Sequence, residues 1–288
     1  MDGFYINLDR STARRTAMEA QLQRLGMHGI RRSAAIDGAA IERPAPCGIS
    51  AGELGCFLSH ARAVAAPSAD DGFRLVLEDD VELADDLPGI VYGFGLAQLQ
   101  AYHLVFLDCQ PYATTSILMT LWNCMQVHGA DAPTGRVSGA NIYDAADIYQ
   151  WGATAYIVTP SGRALLPGLM QEALDAGPAE PYDMWLHRLI REQRLRAAVV
   201  APFLATPSLL SHEASTLVDR AAAPADRKVH NALRRLFFAG PWNELEAYVR
   251  ELPRSAYSGD PRLNLLADLM ARDFVAVAQR NASSAARW

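Results

Sequence analysis

Residues Leu75 to Leu83 read LVLEDDVEL: three apolar residues, three consecutive carboxylates, then more apolar chain. Adjacent acids at the end of a hydrophobic strand each raise the cost of ionising the next. In a strand-to-loop transition alternate side chains share a face, so Glu78 and Asp80 point together while Asp79 turns away. Two carboxylates on one edge form a hard-oxygen site for a divalent cation of the kind that keeps its waters and binds through a substrate's phosphates. A solvated acidic turn reads the same way locally, since Glu82, Asp85 and Asp86 continue the negative run.

The flanking chain gives the run its setting. Phe73 to Leu77 reads as the strand that carries it, and Ser50 to Ala66, SAGELGCFLSHARAVAA, reads as the helix before it, opened by a capping box of Ser50 and Glu53. Earlier still, FYINL (Phe4 to Leu8) is a strand. The helix after it is capped by Ser11 or Thr12, has Met18, Leu22 and Leu25 on one face, and ends at Gly26. Ile30 to Asp37 is a second strand. Downstream, Leu104 to Leu107 is a strand that again ends in an acid, Asp108. Residues 110–149 read as loops and a hairpin, broken by Gly, Pro, Asp and Asn. Ala153 to Val158 is β-like, a helix runs from Thr159 through Leu166, another starts at Pro181-Tyr182-Asp183, and Ala197 to Val200 leads into a last strand ending near Leu204.

This alternation predicts a mixed α/β sheet. Two strands whose C-terminal ends carry carboxylates define one polar edge, which is where open α/β sheets bind ligands. After about Asp219 the character changes: AAAPAD is a linker, and the chain beyond it is helical throughout. The expected division is 1–220 as the main domain and 221–288 as a helical extension, serving as a cap or as a homodimer contact. Within it, Arg234, Arg235, Phe237 and Phe238 form a basic and aromatic face, suited either to a membrane surface or to packing on the main domain.

Composition excludes some partners. The chain has 288 residues, is half apolar and one fifth charged, and carries a net charge of -6, which argues against nonspecific attraction to nucleic acid or anionic lipid. Neither a signal peptide nor an uninterrupted apolar run of membrane-spanning length is visible. Cys47, Cys56, Cys109 and Cys124 are scattered with no CxxC pair, which predicts reduced thiols in a cytoplasmic protein. Glu53, Cys56 and His60 fall on one helical face and mimic part of a zinc site. A structural zinc takes four ligands, however, and no second pair is spaced to complete it.

The pieces FYINLDRSTARR, AAIDG, ISAGELGCFLSHARAV, LVLEDDVEL, GATAYIVTPSGRALL and PYDMWL, in this order, resemble glycosyltransferase family 25, the bacterial lipooligosaccharide galactosyltransferases and their collagen-modifying relatives. The resemblance spans Phe4 to Arg220. It implies a GT-A type, Rossmann-like mixed sheet, a UDP-sugar donor, a catalytic Mn2+ (or Mg2+) and an inverting transfer. By that likeness Glu78, Asp79 and Asp80 occupy the place of an acidic DxD-like motif. Asp80 is the main metal ligand, Glu78 assists through the metal or the ribose, and His212 is a loosely matched further ligand. Asn7, Asp9, Arg10 and Arg14 correspond to the nucleotide pocket, Glu53, Ser59 and His60 to the donor and acceptor cleft, and Asp108 to a donor-sugar contact. Trp151 with Gly152 to Tyr156 suits an acceptor wall, and Asp183 is the expected general base.

The expected activity is therefore transfer of a hexose, galactose first and glucose next, from its UDP carrier to a saccharide or glycolipid acceptor such as a lipopolysaccharide core, with peripheral contact to the inner membrane face. Two alternatives stand beside it. One is a transferase of the same fold acting on a protein or natural product, with the helices from about Arg227 helping to bind the acceptor. The other is a noncatalytic scaffold on a degenerate transferase fold.

Overall fold

The computed structural model describes residues 2–67, 72–94, 96–129, 136–209, 224–241, 244–251 and 261–285. Its strands are β1 (Asp2–Asn7), β2 (Ile30–Ala34), β3 (Arg74–Glu78), β4 (Val81–Leu83), β5 (Leu104–Phe106), β6 (Gln110–Pro111), β7 (Asn141–Asp144), β8 (Tyr149–Trp151), β9 (Ala155–Val158), β10 (Ala197–Ala201) and β11 (Ala205–Pro207). Its helices are α1 (Thr12–Arg24), α2 (Ala51–Ala65), α3 (Leu87–Gly93), α4 (Leu96–Gln100), α5 (Thr115–His128), α6 (Ala145–Ile148), α7 (Pro160–Ala176), α8 (Tyr182–Arg191), α9 (Pro224–Leu236), α10 (Leu245–Glu251) and α11 (Pro261–Ala285).

Seven strands form one mixed sheet in the order β2-β1-β3-β9-β5-β10-β7. β1 pairs in parallel with both β2 and β3, β5 with β10, while β9 runs antiparallel between β3 and β5. The period-2 alternation of the strands splits the core in two. Phe4, Ile6, Val76, Phe106 and Tyr156 face one side with Phe57 of α2 and Trp185 of α8; Tyr5, Leu75, Leu77, Val105 and Ile157 face the other with Met18 and Leu22 of α1. The chain thus winds to β2 over one face and returns over the other face to β3, on the far side of β1. The C-terminal ends of β1 and β3 are therefore a topological switch point, where no crossover covers the crevice.

Local chemistry holds these elements in place. The capping box at α2 forms as expected, with Ser50 N–H donating to Glu53 Oε2 at 2.9 Å and Glu53 N–H to Ser50 Oγ at 3.3 Å. At the other end of α2, the wholly buried Arg74 donates to the carbonyls of Ala63, Val64 and Ala66, satisfying helix-end acceptors that burial would otherwise leave unpaired.

Two expectations are corrected, and of the two alternatives for the face at Arg234 to Phe238 the packing one holds. The segment 110–149 is not merely loops and a hairpin: it contains the 14-residue α5, capped by Thr114 and closed by Gly129 at φ 57°, with Met119, Leu121 and Cys124 buried. The helix that begins at Pro160 does not stop near Leu166 but runs to Ala176 with Pro167 inside it, its buried face of Gly162, Leu166 and Met170 outweighing the lost backbone bond. The face formed by Arg234, Arg235, Phe237 and Phe238 is not open to a membrane, since all four are buried. Phe203 and Phe238 form a β-bridge, Phe203 N–H donates to Phe237 O at 2.7 Å, and Arg235 donates to Glu82 at 2.5 Å. The first helix after the linker is thus packed into the main core.

Candidate active site

The crevice at the switch point is a cleft lined by Ile6, Leu8, Arg10 and Arg14 from β1, α1 and the turn between them, by Ala35 to Gly38, by Gly52, Cys56, Ser59 and His60 of α2, and by Glu78, Asp79 and Asp80. Its shape depends on two close approaches that only glycine allows. A Cβ on Gly38 would lie 1.8 Å from the carbonyl oxygen of Ala51, and one on Gly55 would lie 2.6 Å from that of Ile36. Ser59 completes the junction, its hydroxyl accepting from Ile36 N–H at 2.8 Å and donating to Gly55 O at 2.6 Å. The motifs AAIDG and GELG are thus one packing unit. It carries Asp37 to the mouth of the cleft, where Arg10 pairs with it.

The three carboxylates have different surroundings. Asp79 lines the cleft beside its neighbours but is tied to β1 and α1: its Oδ2 accepts from Asn7 Nδ2 at 2.6 Å and its Oδ1 from Arg14 at 3.2 Å. Burial raises its pKa, opposed by those same partners. Glu78 ends β3, with His60 Nε2 3.3 Å from its Oε1. Burial works against its ionisation, but the hydrogen bond and charge of His60, with smaller contributions from Arg234 and Arg14, outweigh that and hold its pKa below the ordinary value. Among the described residues Asp80 has only Arg14, at 3.7 Å, as a counter-charge, and its Oδ1 is buried with no hydrogen-bond partner. Burial first, then the charges of Glu78 and Asp79, push its pKa up to about 7. A buried, unpartnered carboxylate oxygen beside two other acids is the donor set a hard divalent cation takes.

His60 is fixed from behind. Its Nδ1 lies 2.9 Å from the Tyr156 hydroxyl, which in turn lies 3.1 Å from that of Tyr182, and the Tyr182 ring stacks on the imidazole at 4.4 Å. Tyr182 opens α8, so Asp183 stands one residue beyond the ring that backs the cleft. The Oδ1 of Asp183 accepts from Met184 N–H at 2.9 Å.

Of the residues expected at the site, Arg10, Arg14, Ser59, His60, Glu78, Asp79 and Asp80 come together in the cleft, and Asn7 supports them from beneath. Asp9 sits outside it, accepting from Arg32 at 2.5 Å. Glu53 is engaged in the capping box and does not line the cleft. Asp108 is wholly buried, held by both Nε and Nη2 of Arg234 and by the Thr154 hydroxyl at 2.7 Å, so it faces α9 and not the cleft. Trp151 packs edge-to-face on His230 at 5.2 Å. His212 lies outside the described residues. Sequence reasoning missed Asp37, Arg32 and the two tyrosines behind His60. The AAIDG, GATAYIVTPSGRALL and PYDMWL pieces contain Asp37, Tyr156 and Tyr182, but Tyr156 was expected in an acceptor wall and not behind His60.

A doubly wound sheet with arginines and clustered acids at its switch point has the chemistry that suits an anionic, cation-bearing ligand such as a nucleotide. The family model described as glycosyltransferase family 25 (LPS biosynthesis protein) matches residues 1–183, and the chain belongs to that family. No curated protein matches it. Among solved structures, the galactosyltransferase LgtC in complex with donor and acceptor sugar analogs is 13% identical, over 69% of this chain and 73% of that one, at a TM-score of 0.35. An active-site mutant of LgtC is 14% identical over 91% and 98%, at 0.36. The apo form of mouse xyloside xylosyltransferase 1 is 8% identical over 68% and 76%, at 0.28. These likenesses are too distant to carry residues across.

Proposed function

We propose that this glycosyltransferase is a metal-dependent, inverting enzyme of the GT-A type that moves a hexose, galactose before glucose, from a UDP carrier to a saccharide or glycolipid acceptor such as a lipopolysaccharide core, in the cytoplasm at the inner membrane face. The observation that supports it best is the meeting of Arg10, Arg14, Glu78 and Asp80 in one cleft at the switch point, in a chain of this family.

The residues fit the cation that such a donor brings. Asp80 would hold it through the oxygen that has no protein partner, with Glu78 beside it. When bound, the cation supplies charge neutralisation for the departing diphosphate. Arg14, already placed between Asp79 and Asp80, and Arg10 at the mouth offer forked donors to phosphate oxygens. Asn7 and Arg14 engage both oxygens of Asp79, which commits it to the protein and leaves Glu78 and Asp80 for the cation. Asp183, in the first turn of α8, takes the acceptor hydroxyl's proton as general base. The 1–220 and 221–288 division becomes a catalytic domain whose extension begins with a helix that the core needs. A homodimer through the remaining helices is part of the same reading.

The deciding experiment measures UDP release from a panel of UDP-sugars with manganese or with chelator, for wild type and Asp80→Asn. Metal-dependent release from one sugar, lost in the variant, is expected. Binding of UDP with no release from any sugar favours the scaffold reading, and absence of UDP binding sinks the donor assignment.

A further inference from the structure

Ligand atoms of Cys56, His60 and Glu78 lie within 4.8 Å of one another at the wall of the cleft. Cys56 and His60 sit one turn apart on α2, and β3 brings in Glu78 from the side, so three donors of different softness converge where the sequence alone offered only a helix face. The pair His60 Nε2 and Glu78 Oε1 is already at 3.3 Å. Around a tetrahedral zinc, with metal–ligand bonds of about 2.0–2.3 Å, donor atoms stand about 3.4–3.6 Å apart. Closing the set therefore requires the thiol to move by no more than about 1 Å.

We infer that Cys56, His60 and Glu78 form a zinc site with its fourth position open to the cleft, and that zinc bound there blocks nucleotide-sugar turnover.

The supporting shell is in place. A metal-bound histidine donates its other ring N–H to a fixed partner, which sets the tautomer and the ring plane. Here His60 Nδ1 meets the Tyr156 hydroxyl at 2.9 Å while Tyr182 stacks on the ring, so Nε2 is aimed at Glu78 without further adjustment. A thiolate donor selects zinc over magnesium or manganese, whereas the oxygen set at Asp80 selects the reverse. The two sites share Glu78. Zinc on the wall withdraws that carboxylate from the cation that accompanies the donor, so occupancy of one site opposes use of the other. Zinc binding stands on this geometry alone, and its effect on turnover rests on the proposed function.

The test uses the full chain stripped of metal. Cobalt added alone should give a thiolate-to-metal charge-transfer band that zinc abolishes and that Cys56→Ser lacks. On wild type, micromolar zinc should slow alkylation of Cys56 by iodoacetamide at least tenfold, read by peptide mass spectrometry, while Cys47, outside the cluster, reacts at an unchanged rate. With manganese present, zinc should lower UDP release at least tenfold, with a midpoint that tracks its binding. No cobalt band together with unprotected Cys56 overturns the site, and undiminished release at saturating zinc overturns the block. UDP binding on the same sample separates the readings: binding without a cobalt band sinks only the zinc site, and a band without UDP binding sinks only the donor assignment.

Discussion

The side-chain amide of Asn7 donates a 2.6 Å hydrogen bond to Oδ2 of Asp79, joining the ends of β1 and β3 directly beneath the cleft. The same side chain accepts from Arg32 Nε at 2.9 Å, so one buried asparagine links β1, β2 and the end of β3. A hydrogen bond to a carboxylate contributes about 1.5–3 kcal/mol. Asn7→Ala should destabilise the protein by that order in urea unfolding. Asn7→Asp should be worse at neutral pH, because it sets a carboxylate against Asp79, and the difference between the two variants should shrink on acidification. Equal losses at all pH values would show that the bond is not what holds Asp79.

Asp80→Asn should separate stability from turnover. With chelator present, folded Asp80 titrates near 7 against an ordinary 3.8. The folded state therefore takes up a proton in that window, and wild type loses stability as pH rises through it. Below about pH 4 both states are protonated and the variant should match wild type. Near neutral pH it should be more stable by about 1 kcal/mol, roughly 2–4 °C in melting temperature. Metal-dependent UDP release should meanwhile vanish. A variant less stable than wild type at pH 7 would show that Asp80 is already compensated by the protein.

Arg234 and Asp108 form a buried ion pair completed by Thr154 Oγ1, which accepts from Arg234 at 3.0 Å and donates to Asp108. Removing one partner leaves an uncompensated buried charge, and Arg234→Met or Asp108→Asn should each cost about 3–5 kcal/mol. The double variant should cost less than the sum of the two, measured by urea unfolding. For the same reason, deleting residues 224–288 should remove UDP binding along with transfer. A truncated protein that still binds UDP would mean that α9 is dispensable to the core.

Asp183→Asn distinguishes a base from a helix-end contact. As a base its loss should lower kcat by about 10²- to 10⁴-fold with little change in melting temperature. A melting temperature lowered by several degrees with kcat intact would assign it to the N-terminus of α8 instead.

The strands β1, β3 and β5 and the helices α1 and α2 were legible because each carries a local signal of its own: Met18 and Leu22 a helical spacing apart, the Ser50–Glu53 capping box, and apolar runs of strand length, although Ser11 makes no side-chain cap bond to α1. The helix α5 was not. Its stretch TSILMTLWNCMQVH is rich in β-prone residues, and only the burial of Met119, Leu121 and Cys124 against the sheet settles its form. The strand end at Asp108 read like the strand end at Glu78. They diverge because Arg234, 126 residues further on, hydrogen-bonds Asp108 and acts on Glu78 only through its charge.

The chain's own order determined the alternating α/β elements, the family motifs and the run of three carboxylates that closes β3, since each arises from neighbours a few residues apart. Tertiary structure decided which acids face the cleft, that Arg234 to Phe238 belong to the core, and that Glu78 joins Cys56 and His60 where helical spacing had offered Glu53 as the third member. Those outcomes depend on residues far apart in sequence meeting across a twisted sheet. No local pattern records which side chain of one strand will lie opposite which turn of a helix.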